Sequence, residues 1–164
     1  MEKRKQPVDK VKKPVQYKTE PIKTGLLNDF QEPYITMARY DDAISLLDTS
    51  KKGLDAKSAI DFLNLSGFTQ DEFQETFKTT VKTIQNHVSR QLKLDASLSE
   101  KLLKSFALFD SGIEVFGSAQ AFGQWLHTPA YGLGNRLPFD LMDTITGIQL
   151  IDEEITRIKY GDLA

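Results

Sequence analysis

From residue 34 onward apolar residues recur at steps of three and four, the spacing of amphipathic helices. Tyr34, Met37, Ala38, Ala43, Ile44 and Leu47 keep roughly one face, with Asp41, Asp42 and Asp48 off it. Lys51-Lys52-Gly53 ends that helix as a cationic last turn and glycine cap would. Asp55 reads as the N-cap of a second helix with Ala59, Ile60, Phe62 and Leu63 inward, closed by Gly67. Thr69-Gln70-Asp71-Glu72 has the capping-box form, and Phe73 and Phe77 follow one turn apart. Lys78-Thr79 turns the chain and Thr80 caps a further helix, with Val81, Ile84 and Val88 inward and Lys82, Gln85, Asn86 and Ser89 outward. Two short helices joined this tightly predict a helix-turn-helix.

Ser97-Leu98-Ser99-Glu100 reads as a second capping box. It opens a longer helix with Leu102, Leu103, Phe106, Leu108, Phe109 and Ile113 apolar, ending near Phe116-Gly117. Ser118 caps the next, with Ala121, Phe122, Trp125 and Leu126 inward. Pro129, Gly132, Gly134 and Asn135 make a loop, and Pro138 suits the first turn of a short helix. Thr144 caps the last helix, whose Ile145, Ile148, Ile151, Ile155 and Ile158 form one stripe before Gly161. No segment keeps period two and no internal repeat is visible, so the expected fold class is all-α.

Composition narrows the chemistry. The 164 residues contain no cysteine, which removes disulfides, thiolate metal sites and cysteine nucleophiles. The two histidines, His87 and His127, have no ligand-like spacing, and no Ser-His-Asp set, carboxylate pair or phosphate loop can be argued. The expectation is no enzyme, no cofactor and no metal site. No apolar run reaches the roughly 18–20 residues of a spanning helix. The first residues lack the apolar core of a secretory signal, so the cytoplasm is the expected compartment.

Charge is uneven. Residues 1–24 hold eight Lys/Arg and three Asp/Glu, net +5; the remaining 140 hold 13 and 20, net −7. The prolines and lysines of 1–24 read as a basic, disordered arm. Asp152-Glu153-Glu154 reads as a solvated face or a steering patch, and His127 as a cation suited to a helix end.

From Val115 the chain resembles the C-terminal toxin-binding domain of the Xre/MbcA/ParS antitoxins. The matching residues are Phe116-Gly117, Ala121, Trp125-Leu126, Pro129, Leu133-Gly134, Pro138, Asp140-Leu141, Asp143-Thr144, Gly147 and Arg157-Ile158 with Tyr160-Gly161. Upstream, Gly53-Leu54, Ala59, Leu65-Ser66, Thr83-Ile84 and Ser99 resemble the Xre-type helix-turn-helix. The likeness covers about residues 52–163. Beside the arm at 1–24, it implies a helix-turn-helix region for dimerisation and DNA binding at 30–105 and a toxin-binding domain with its tail at 106–164. It also implies the antitoxin of a bacterial type II pair whose partner is a RES-domain toxin that consumes NAD or transfers its ADP-ribose. Such an antitoxin occludes the toxin's active site, forms a homodimer or a dimer-based complex with it, and represses its own operator DNA.

The residues implied at the toxin contact are Arg157, Tyr160, Gly161, Asp162, Leu163 and Ala164. Those for DNA are Thr80, Lys82, Gln85, Asn86 and Arg90, with Lys93 beside them. Gln and Asn can pair with adenine in the major groove, and Thr80 could meet a phosphate. Three departures bear on this. Gln74 stands where the family often has alanine, and Asn135 where it commonly has a second glycine. The recognition helix also carries one cation, Lys82, where the family's is arginine-rich. The other class of reading is a stand-alone helix-turn-helix repressor with a C-terminal dimerisation domain.

Overall fold

The computed structural model describes residues 43–161. The arm at 1–24, the first turns of the helix expected from Tyr34, and Asp162, Leu163 and Ala164 lie outside the described residues. Among the described residues the fold is all-α. In order come α1 (Ala43–Lys52), α2 (Lys57–Ser66), α3 (Gln70–Phe77), α4 (Val81–Ser89) and α5 (Ala96–Phe116). They are followed by α6 (Ala119–Leu126), a 3-10 turn (Tyr131–Leu133), α7 (Pro138–Leu141) and α8 (Ile145–Tyr160).

Most helix starts are set locally. Thr69 accepts the Glu72 N–H at 3.2 Å while Glu72 returns a carboxylate oxygen to the Thr69 N–H at 2.7 Å, a complete capping box. Thr80, Ser118 and Thr144 cap α4, α6 and α8 through their hydroxyls, as expected.

Two starts differ. Residue 56, not Asp55, precedes α2, and no side chain caps it. The Asp55 backbone instead pairs with Lys93 in an isolated bridge, and its carbonyl accepts the Ser58 N–H. The long helix begins two residues earlier than expected, because the Asp95 carboxylate takes the Leu98 N–H at 2.9 Å. Ser97 is therefore not the cap. Ser99 is buried, where its hydroxyl accepts the Leu54 N–H at 2.9 Å. That bond and Leu94 N–H to the Leu54 carbonyl (2.8 Å) clip the α1–α2 link to the α4–α5 link. Gly53 lies in this clip with φ +76°, and a Cβ there would stand 2.4 Å from the Leu94 carbonyl oxygen.

On α1, Ile44 is 67% exposed and Leu47 lies at the surface too, contrary to the face expected. Leu46 packs against the core and Ser50 is buried instead. Val88, one turn beyond Ile84, the last core residue of α4, is likewise exposed.

The core is continuous from α2 to α8. Phe62 of α2 is fully buried and meets Phe68, Phe77, Phe106 and Phe109 edge-to-face, with centroids 5.2–5.9 Å apart. Phe109 in turn meets Phe122 of α6 at 5.0 Å. The approach of α6 depends on Gly112, where a Cβ would fall 2.4 Å from the Phe122 ring. Trp125 is half-buried and lies beside Phe116 and Phe122 at the rim of this cluster. α5 spans residues 105 and 106 without a break, and its buried side chains serve the helices before and after it.

Candidate functional site

Two surfaces hold the residues singled out by sequence. The first is the helix-turn-helix. α3 and α4 are joined by residues 78–80, with Lys78 in the left-handed region at φ 54°. Phe73, Phe77, Val81 and Ile84 are buried between the pair and the core, so Thr80, Lys82, Gln85 and Asn86 are left on the exposed side. Arg90 is also exposed, at the end of α4. The Thr80 hydroxyl already accepts the Thr83 N–H, which leaves its O–H for another group; Thr83 Oγ1 lies 2.9 Å away. Lys93 is drawn off this surface, since its ammonium donates to the Gly53 carbonyl at 3.2 Å. Gln74 faces solvent, so its size does not press on the α3–α4 contact.

The second surface is the end of α8 with the 129–136 loop. Ala130 and Arg136 pair in a short bridge, and Gly134 and Asn135 both take left-handed conformations at φ 68° and 58°. Asparagine is among the residues that tolerate this region, which accounts for its standing in place of a glycine. Tyr131 projects from the loop at 80% exposure, and Tyr160 from the last turn of α8 at 76%. Gly161 caps α8 at φ 72°.

Between the tyrosines lies an arrangement absent from the sequence reading. Glu154 is only 5% exposed, so the acidic run at 152–154 is not wholly a solvated face. One Glu154 oxygen accepts the Gly132 N–H at 3.2 Å; the other accepts from Arg157 Nε at 2.8 Å and Nη2 at 2.5 Å. Arg157 Nη2 also reaches the Gly132 carbonyl at 3.5 Å. A carboxylate taken out of water needs such partners. Arg157 is thus engaged within the chain on one side of its guanidinium. The loop partner is 22 residues from Glu154, and nothing local in the sequence announces it.

α3 of the helix-turn-helix is tied to the C-terminal helices at both of its ends. At its start, His127 Nε2 lies 2.9 Å from Glu72 Oε1, its Nδ1 donates to the Gly123 carbonyl at 2.8 Å, and its ring stacks on Phe139. His127 is therefore a bridge to another helix rather than only a cation at a helix end. Burial raises the Glu72 carboxyl's affinity for its proton, but the Thr69 hydrogen bonds and His127 outweigh it, and the net shift is downward. At the other end of α3, Lys101 donates to the Thr76 and Asp143 carbonyls, and Lys78 pairs with the Asp143 carboxylate at 3.6 Å. Burial lowers the Lys101 ammonium's pKa; Asp143 opposes that shift and Lys78 adds to it. A cleft of ≈ 530 Å³ opens beside the His127–Glu72 bridge, lined also by Leu65, Gly67, Gln120 and Gln124.

Among the described residues no three His, Asp or Glu side chains gather to hold a metal ion, and no helix is long and apolar enough to cross a membrane. Residues 111–161 match the family described as the antitoxin Xre/MbcA/ParS C-terminal toxin-binding domain. A stretch of 64 residues is 31% identical to an Antitoxin Xre from Yersinia enterocolitica, covering 38% of this chain and 43% of that protein. The match thus spans under half the length of that relative. The likeness to the Xre/MbcA/ParS toxin-binding domains thus runs from the last turns of α5 to the end of α8.

Proposed function

We propose that this chain is the antitoxin of a type II pair, and that its C-terminal domain neutralises a RES-domain toxin by covering the toxin's active site. The observation that carries the reading is the toxin-binding family match over residues 111–161. Within that domain the contact falls on Tyr160, Gly161, the outer side of Arg157 and the tail Asp162-Leu163-Ala164. The tail follows directly on the Gly161 cap, and its Asp162 carboxylate suits a pocket built for dinucleotide phosphates. The chain itself is not an enzyme, needs no cofactor and works in the cytoplasm.

The helix-turn-helix binds operator DNA in this reading, through Thr80, Lys82, Gln85, Asn86 and Arg90, as a homodimer or a dimer-based complex with the toxin. Support comes from the exposed polar face of α4, which carries no acidic residue. The stand-alone repressor makes the same use of that face but leaves the C-terminal domain without a toxin. Removing residues 162–164 and scoring growth rescue against the toxin encoded by the adjacent reading frame separates the two. Weakened rescue with an unchanged melting temperature is expected. Full rescue by the truncated chain would refute the tail as a plug, and absence of any rescue by the intact chain would favour the repressor.

A further inference from the structure

The 129–136 loop is held with more care than its burial requires. Only Ala130 of its central turn is buried, and Leu133 packs partly on the core. Yet the loop draws on a nearly buried carboxylate, a guanidinium that closes on both, a backbone bridge and two successive left-handed residues. Gly132 is packed so closely on this support that a Cβ would lie 1.9 Å from Glu154 Oε2. Side chains taken from water and committed in this way fix a backbone position. The residue whose placement they fix, and which contributes nothing to the fold's interior, is Tyr131, 80% exposed.

We infer that Tyr131 is an aromatic anchor of the toxin interface, and that Glu154 and Arg157 are positioning residues that preorganise it. The inference rests on the toxin-binding reading above and adds a contact on the loop beside α8. A tyrosine held in place enters a partner's pocket with little ordering cost, offering ring area and one phenol. The partner surface it fits is an apolar pocket of the toxin with a hydrogen-bond acceptor at its floor. Its position one residue before Gly132 puts it beside Arg157, whose i+3 neighbour is the equally exposed Tyr160. Tyr131 and Tyr160 thus stand on the two chain segments that Arg157 joins.

The test is affinity of the full chain for the toxin encoded by the adjacent reading frame, measured by calorimetry. Tyr131→Ala should weaken binding by about 30-fold, the scale of a central anchor, with an unchanged melting temperature. Tyr131→Phe should lose less than Tyr131→Ala. Glu154→Gln should weaken binding in the unaltered background and cost clearly less once Tyr131 is alanine, the remainder passing through Arg157. A purely structural Glu154 would give the same loss in both backgrounds, which would overturn the positioning role. Wild-type affinity in Tyr131→Ala would overturn the anchor while leaving the toxin-binding reading intact. Failure of the unaltered chain to bind would overturn both.

Discussion

Phe62→Ala tests whether the helix-turn-helix and the C-terminal helices share one core. Phe62 is fully buried on α2, and its ring touches Phe77 of α3 together with Phe106 and Phe109 of α5. Truncating a buried phenylalanine to alanine costs roughly 3–5 kcal/mol, through lost burial and the cavity left behind. Four edge-to-face contacts place this site at the upper end, since each such pair adds about 0.5–1.5 kcal/mol that overlaps with the area term. A domain of this size has roughly 5–15 kcal/mol in all, so the loss takes about a third or more of it and lowers the melting temperature by roughly 12–20 °C. The assay pairs far-UV circular dichroism with Trp125 fluorescence. Trp125 is the chain's one tryptophan and sits on α6, across the core from Phe62. Because Phe109 links Phe62 to Phe122, which lies beside Trp125, both signals should fall together. A Trp125 transition left at the wild-type temperature while the helical signal splits in two would refute the shared core.

Three further outcomes follow from the geometry. Glu72 binds its proton less tightly in the folded chain than in the unfolded one, so the unfolded state takes up more protons in acid. Its contribution is complete above the ordinary glutamate range near 4.5 and is lost as pH falls through the lowered folded value; Glu72→Gln should flatten denaturant stability across that window, and an unchanged slope would count against it. Lys101→Met leaves the Thr76 and Asp143 carbonyls without their ammonium donor and should cost about 1–3 kcal/mol in urea titration, partly offset by relief of the buried charge. If the α4 face binds the operator, Lys82→Ala with Arg90→Ala should weaken it at low salt and reduce the salt slope by about two charges; identical slopes would remove these residues from the interface.

What the sequence discloses about this fold is what its residues decide locally. The Thr69–Glu72 box, the Thr80, Ser118 and Thr144 caps and the isoleucine stripe of α8 involve partners three or four residues away. The Asp95 cap was obscured by a rival at Ser97 that satisfies the same pattern, and the contest is settled by Ser99, whose hydroxyl serves Leu54 across 45 residues. Ile44 and Leu47 fit an inward face by periodicity, but α1 packs along α5 with Leu46 and Ser50 inward instead. The candidate site follows the same rule. The exposed face of α4 was legible because helical spacing sets it. Glu154 was not, because an acid in a run of acids reads as solvated until Gly132 and Arg157 close around it. The His127–Glu72 bridge spans 55 residues and left no local trace.

The toxin-binding claim is tested most directly by expressing this chain with the product of the adjacent reading frame, purifying by a tag on one partner and measuring cellular NAD. The account predicts a stable complex with NAD preserved, against NAD loss when the neighbour is expressed alone. No co-purification, with NAD equally depleted whether or not this chain is present, would contradict it.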